Sequence, residues 1–210
     1  MNAPTQKVAS ASRRAAFIDK DGTLVHNVPY DADPRRIVFT PFAIEGLRRL
    51  RDAGYALVIV TNQPGLGLGR FSQAAFDLYS HSLTQRLRAE SVTLTALYYC
   101  PHRPSVSASA LGCACRKPAP GLLQQAAREL GVQLDRSWMI GDILDDVEAG
   151  ARAGCRTVLL DVGNETEWRA SPLRNATLRA RDLLHAAEAI LHYDCMAAAG
   201  EGGAANRLSA

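Results

Sequence analysis

The sequence predicts an α/β fold in which helices cover both faces of a central parallel sheet, and three observations carry that expectation. Apolar runs rich in β-branched residues alternate with segments of helical periodicity through the middle of the chain. The apolar runs are continuous, which is what strands buried on both faces require. Three of the helical segments end at Gly54, Gly131 and Gly154, and a helix C-terminus favours glycine because its closing residue is often left-handed. Together these predict a Rossmann-like three-layer sandwich.

Taken in order, the first strand is expected at AAFID, Ala15 to Asp19, with a helix over Pro41 to Ala53 after it. YALVIVT, Tyr55 to Thr61, reads as the second strand and Ser72 to Glu90 as the next helix. TLTALYY, Thr93 to Tyr99, is a third strand, followed by a helix over Pro120 to Leu130. SWMIGD, Ser137 to Asp142, and RTVLLDV, Arg156 to Val162, complete the strands, with helices over Asp145 to Ala153 and Ala180 to His192. Residues 1–13 and 196–210 are small, polar and aperiodic and read as disordered ends. One domain over 14–195 remains, and with no second domain in view a monomer is expected.

The chain of 210 residues, 47% hydrophobic, is long enough for one full core. Its 24 basic and 21 acidic residues are dispersed, without the clustered Lys and Arg that a phosphate-tracking nucleic-acid binder carries. No nucleic-acid partner is expected. The start lacks the apolar core of a secretory signal, and no segment approaches the ~18 apolar residues of a membrane span. The expected location is cytoplasmic, with no membrane association.

In a parallel sheet of this kind, ligands bind beyond the carboxyl ends of the strands. The polar residues expected there are Asp19 and Asp21, then Thr61, Asn62 and Gln63, then Cys100 and His102, then Asp142. Side chains two apart on an extended segment face one side, so Asp19 and Asp21 can serve one site. Two bare carboxylates would repel. A hard divalent cation such as Mg²⁺ resolves the repulsion, because it takes oxygen ligands and keeps room for water and phosphate. Asp142 adds a carboxylate at the matching end of a later strand.

A second cluster, YYCPHRPSVSASALGCACRKP, holds Cys100, His102, Cys113 and Cys115. Three thiolates and an imidazole form a closed tetrahedral set suited to structural zinc. The one-residue gaps are tighter than those of a nucleic-acid finger. Cys115 adjoins Arg116 and Lys117, so a clamped loop would hold two cations near the carboxylates.

Four motifs occur in order: FIDKDGTLV, VTNQ, RKP and GDILDD. With them the chain resembles the phosphatases of the haloacid dehalogenase superfamily over roughly residues 15–165. The resemblance implies that Asp19 attacks phosphorus to form an aspartyl phosphate, while Asp21 protonates the leaving oxygen and later deprotonates water. It implies that Mg²⁺ is held by the Asp19 carboxylate, the Asp21 backbone carbonyl and Asp142, with Thr61 and Lys117 cradling the phosphate. The zinc loop is similar to that of a branch containing heptose-bisphosphate and histidinol-phosphate phosphatases, which carry it in place of a large cap domain. The match is nearer to the heptose enzymes, which implies a sugar phosphate of heptose biosynthesis as substrate and histidinol phosphate as the alternative. By that correspondence Asn27, Val28, Pro29, Tyr30, Thr61, Asn62, Gln63, Pro64, Arg116 and Lys117 line the substrate pocket. Pro64, Leu68 and Ile143 stand where the heptose enzymes carry serine, a basic residue and lysine. A phosphate-sensing receiver is a different class, which the proton-handling Asp21 argues against.

Some neighbouring features carry blander expectations. GLGLGR, Gly65 to Arg70, reads as a flexible substrate loop because it lacks the full dinucleotide spacing. Asp145 and Asp146 read slightly better as the acid-rich first turn of a helix than as site residues. GNETEW, Gly163 to Trp168, reads as an ordinary loop.

Overall fold

A computed structural model describes residues 13–104 and 112–205. Its strands are β1 (Ala15–Ile18), β2 (Ala56–Asn62), β3 (Ala96–Cys100), β4 (Trp138–Gly141), β5 (Arg156–Leu160) and β6 (Leu178–Ala180). The helices are α1 (Ala43–Asp52), α2 (Pro64–Gly67), α3 (Gln73–Ala89), α4 (Gly121–Leu130), α5 (Leu144–Ala153) and α6 (Leu183–Ala205). All six strands form one sheet, every pairing parallel, in the order β3-β2-β1-β4-β5-β6. This is the three-layer sandwich that the apolar pattern predicts.

Successive side chains of the central strands enter opposite layers. Ala16 and Ile18 of β1 join Leu57, Ile59, Ile140 and Val158 against Leu47 of α1, Leu83 of α3 and Ile190 of α6. Phe17 joins Val58, Val60 and Met139 against Leu122 and Leu123 of α4. Because both faces are covered, no polar alternation survives in these strands. Among the described residues no helix is long and apolar enough to cross a membrane.

Several boundaries differ from expectation. Strand β6 begins before the helix expected from Ala180, and α6 starts only at Leu183. Asp182 sets that start, its Oδ1 accepting from His185 N at 2.7 Å. Three residues with an exposed Arg179 at the centre are too short for a periodic signal. Strand β3 begins at Ala96, three residues later than expected. Helix α6 runs to Ala205, past the expected domain end at 195; Ala197 to Ala199 favour helix, while the three glycines beyond them do not. Arg13, placed in the N-terminal tail by the sequence, bridges to Val132. The rest of the expected disordered ends, 1–12 and 206–210, lies outside the described residues.

The sheet order reverses between β1 and β4, and this is where the site forms. Ile18 pairs with Ile140, and Asp19 N donates to Ile140 O at 2.9 Å. Asp19 and Asp142 therefore leave adjacent strands side by side.

Candidate active site

Asp19, Thr61, Lys117, Asp142 and Asp146 are all buried at the carboxyl edge of the sheet. Lys117 reaches this group from the loop that carries Cys113 and Cys115: its ammonium pairs with Asp19 Oδ1, with Asp146 Oδ1 at 2.6 Å and with Val60 O at 3.0 Å. Its backbone is fixed by Asn62 in a reciprocal pair, Asn62 Nδ2 donating to Lys117 O and Lys117 N donating to Asn62 Oδ1, both at 3.0 Å. The peptide from Lys117 to Pro118 is cis.

Asp21 is held differently from Asp19. Lys20 Nζ, itself over the Tyr79 ring, lies 2.8 Å from Asp21 Oδ1, and Gln63 Nε2 donates to Asp21 Oδ2 at 2.7 Å. Gln63 also donates to Thr61 Oγ1 at 3.0 Å. Thus Asn62 and Gln63, read from sequence as substrate contacts, use their side chains chiefly to position Lys117, Asp21 and Thr61.

Asp142 receives Thr23 Oγ1 on Oδ1 and Asn164 Nδ2 on Oδ2, each at 2.8 Å. Gly22 stands against this pair with φ +92, and a Cβ there would lie 2.2 Å from Asp142 Oδ2. The glycine of the first motif is required by both its backbone and this contact.

Burial dominates the electrostatics. It pushes Asp19 up to about 7, opposed by Lys117 and reinforced by Asp146 and Asp21. It pushes Asp142 up to about 6, with the Asp19 charge adding and the bonds from Thr23 and Asn164 subtracting. Asp146 is likewise raised by burial, against the pull of Lys117. Burial alone would depress the Lys117 ammonium, but Asp146 and Asp19 outweigh it and hold it above the ordinary lysine value. Three carboxylates facing one ammonium leave two negative charges when all are ionised, which one divalent cation balances. Carboxylate oxygens of Asp19, Asp142 and Asp146 lie within 4.8 Å of one another, a hard-oxygen set that fits Mg²⁺.

The cavity over this edge measures about 420 Å³. Every pocket residue expected from the sequence lines it: Asn27 to Tyr30, Thr61 to Pro64, Arg116 and Lys117, beside Asp19, Asp21 and Asp142. Ile143, Asp145 and Asn164 line it too.

Beside the cavity, Cys100 Sγ lies 3.4 Å from His102 Nδ1, 3.4 Å from Cys113 Sγ and 3.3 Å from Cys115 Sγ, and His102 Nδ1 lies 3.2 Å from Cys115 Sγ. The cysteines are unlinked. These separations are a little under the ~3.5 to 3.8 Å edges of a tetrahedron with Zn–S and Zn–N bonds of about 2.3 and 2.0 Å, so the donor set fits zinc. Part of the spacer between His102 and Cys113 lies outside the described residues.

Sequence reasoning missed three contributions. Asp146, read as a helix-turn acid, is instead a buried partner of Lys117; no helical spacing signals this, because Asp142 precedes the helix that begins at Leu144. Asp145, by contrast, pairs with Arg174 at 2.6 Å while lining the cavity rim. The stretch after β5, read as an ordinary loop, supplies Asn164 to the cavity wall. The glycine stretch, read as a flexible loop, forms the short helix α2 and docks on the cysteine-bearing loop, Gly67 N donating to Pro101 O at 3.0 Å. A Cβ on Gly67 would lie 2.6 Å from Pro101 O.

A family model described as HAD-hydrolase-like matches residues 114–186. A D-glycero-alpha-D-manno-heptose-1,7-bisphosphate 7-phosphatase of Photorhabdus laumondii is 33% identical over 168 residues, covering 79% of this chain and 90% of the relative. The beta-anomer enzyme of Salmonella typhi is 38% identical over 148 residues, covering 70% of this chain and 79% of the relative. The crystal structure of D,D-heptose 1,7-bisphosphate phosphatase from B. bronchiseptica, complexed with magnesium and phosphate, superposes with a TM-score of 0.71 at 29% identity, covering 86% of this chain and 99% of that one. With this similarity across most of both chains, and with the four motifs gathered around one cavity, the protein belongs to the haloacid dehalogenase-like phosphatase family that includes the heptose-bisphosphate phosphatases.

Proposed function

We propose that the protein hydrolyses the 7-phosphate of D-glycero-D-manno-heptose 1,7-bisphosphate through an aspartyl-phosphate intermediate. The observation that carries the reading is the convergence of Asp19, Lys117 and Asp142 on one cavity, with Asp21 held apart by Lys20 and Gln63. An Asp19 oxygen attacks phosphorus as the ester P–O bond breaks, and Asp21 gives its proton to the departing sugar oxygen. Asp21 then takes a proton from the water that attacks phosphorus, which frees Asp19 and inorganic phosphate. Lys117 and Thr61 face the phosphoryl oxygens, and Arg116 offers its planar fork to a substrate anion.

Asp19 and Asp142, with the Asp21 carbonyl, would hold Mg²⁺, which when bound supplies positive charge to the phosphoryl oxygens and favours the ionised form of Asp19. The Cys100, His102, Cys113 and Cys115 set would hold a structural zinc. Relatives named for both heptose anomers support the substrate class.

The test is phosphate release with both heptose 1,7-bisphosphate anomers, histidinol phosphate and fructose bisphosphate. A heptose anomer is expected to give the highest kcat/KM, and Asp19→Asn to lower kcat by about 10³-fold or more. Preference for histidinol phosphate would replace the substrate, and full turnover by Asp19→Asn would remove the mechanism.

A further inference from the structure

Asn164 stands in the loop after β5, on a wall shared by the main cavity and a neighbouring one that Gly22, Thr23 and Phe42 also line. Its amide and the Thr23 hydroxyl grip the two oxygens of Asp142, one each, at 2.8 Å. Two neutral donors from separate segments therefore fix the carboxylate plane, and each oxygen keeps acceptor capacity for a cation. The loop itself is pinned. Glu165 Oε2 accepts from Leu144 N at 2.6 Å, capping the first turn of α5, and Glu165 Oε1 accepts from Glu167 N at 2.6 Å. Room for the amide comes from Gly22, where a Cβ would lie 2.7 Å from Asn164 Nδ2. A bare glycine, an anchored loop and an amide thus converge on the orientation of one acid.

We infer that Asn164 is a positioning residue for the divalent cation: it aims the Asp142 carboxylate toward Asp19 and so sets cation affinity, leaving the chemical step to other groups. The inference rests on the magnesium reading above. Without the amide, Asp142 loses one of its two fixed oxygens and swings about the bond to Thr23. Partners of this kind, one shell out from a metal, typically govern about 10- to 100-fold in affinity.

The test uses the full chain and Mg²⁺ alone, with binding measured calorimetrically for wild type, Asn164→Ala, Asn164→Asp and Asp142→Asn. Rates are followed in parallel against Mg²⁺ concentration, and melting in magnesium-free buffer verifies folding. Asn164→Ala is expected to bind Mg²⁺ about 10- to 100-fold more weakly, and the half-activating Mg²⁺ concentration to rise by the same factor. Its kcat at saturating Mg²⁺ is expected to stay within about twofold of wild type, the signature of lost binding without lost transition-state contact. Asn164→Asp, which keeps the shape but faces Asp142 with an acceptor, is expected to bind at least as weakly. Wild-type affinity in Asn164→Ala, a kcat loss at unchanged affinity, or tighter binding by Asn164→Asp would overturn the inference. A wild type that binds no Mg²⁺, or an Asp142→Asn variant that binds as well as wild type, would instead remove the magnesium reading itself.

Discussion

Asp146 shows how much one buried charge controls at this site. It is 1% exposed and shares the Lys117 ammonium with Asp19. Without Asp146 the ammonium keeps Asp19 and the Val60 carbonyl, so what is lost is one charge-assisted hydrogen bond at a buried site. Asp146→Ala is therefore expected to cost about 1.5 to 3 kcal/mol in urea unfolding, and to lower turnover because Lys117 then leans on Asp19 alone. A variant as stable as wild type would show the pair to be incidental. Protonation at the same site makes stability depend on pH. Folded Asp19 and Asp142 keep their protons up to about 7 and about 6, against 3.8 unfolded. Between pH 3.8 and about 7 the metal-free folded state binds more protons than the unfolded state, so these groups' contribution to stability falls as pH rises through that window. Saturating Mg²⁺, which favours the ionised acids, is expected to flatten the dependence. Urea midpoints at pH 5 and pH 8, with and without Mg²⁺, would check it, and an unchanged slope would count against cation binding here.

Between elements, the loop carrying Cys100, His102, Cys113 and Cys115 joins two parts of the site that the sheet alone does not connect. Cys100 ends β3, with Gln63 N donating to its carbonyl at 2.8 Å, while Cys115 stands two residues before Lys117. Pro101 receives Gly67 of α2. A metal at this cluster would thus brace both the Lys117 side and the α2 side of the cavity. Cys113→Ser is expected to reduce bound zinc from one per chain to none. A misplacement of roughly an ångström at Lys117 would then lower kcat by about 10²-fold. Metal analysis by mass spectrometry and steady-state rates test both halves; a zinc-free variant with full turnover would leave the loop without a catalytic consequence.

At the scale of the whole molecule, the far end of the sheet is closed by α6 through one acid. Asp194 accepts from Arg14 Nη1 at 2.9 Å, from the Tyr55 hydroxyl and from Trp138 Nε1 at 3.3 Å, so the residues just before β1 and β2 and the first residue of β4 all tie to the last helix. Asp194→Ala strands several donors at once and is expected to destabilise the fold by about 2 to 3 kcal/mol, with KM unchanged because the cluster lies at the end of the sheet opposite the cavity. A KM shift equal to the stability loss would show the two ends to be coupled.

The sequence by itself determined the sheet, the motif acids and the metal-type clusters, because burial on both faces writes continuous apolar runs and strand ends place the acids that follow them. Asp19, Asp21, Thr61 and Asp142 were legible for that reason, whereas Lys117 was legible from its RKP motif beside Cys115 and the zinc-type donors from their Cys-x-His and Cys-x-Cys spacing. Tertiary structure alone decided which polar groups support which. Asp146 paired inward while Asp145 paired with Arg174, Asn62 and Gln63 turned to hold neighbours, and Asn164 reached Asp142 from a loop 22 residues away. Such assignments depend on distances between segments remote in the chain, and local periodicity carries no record of them.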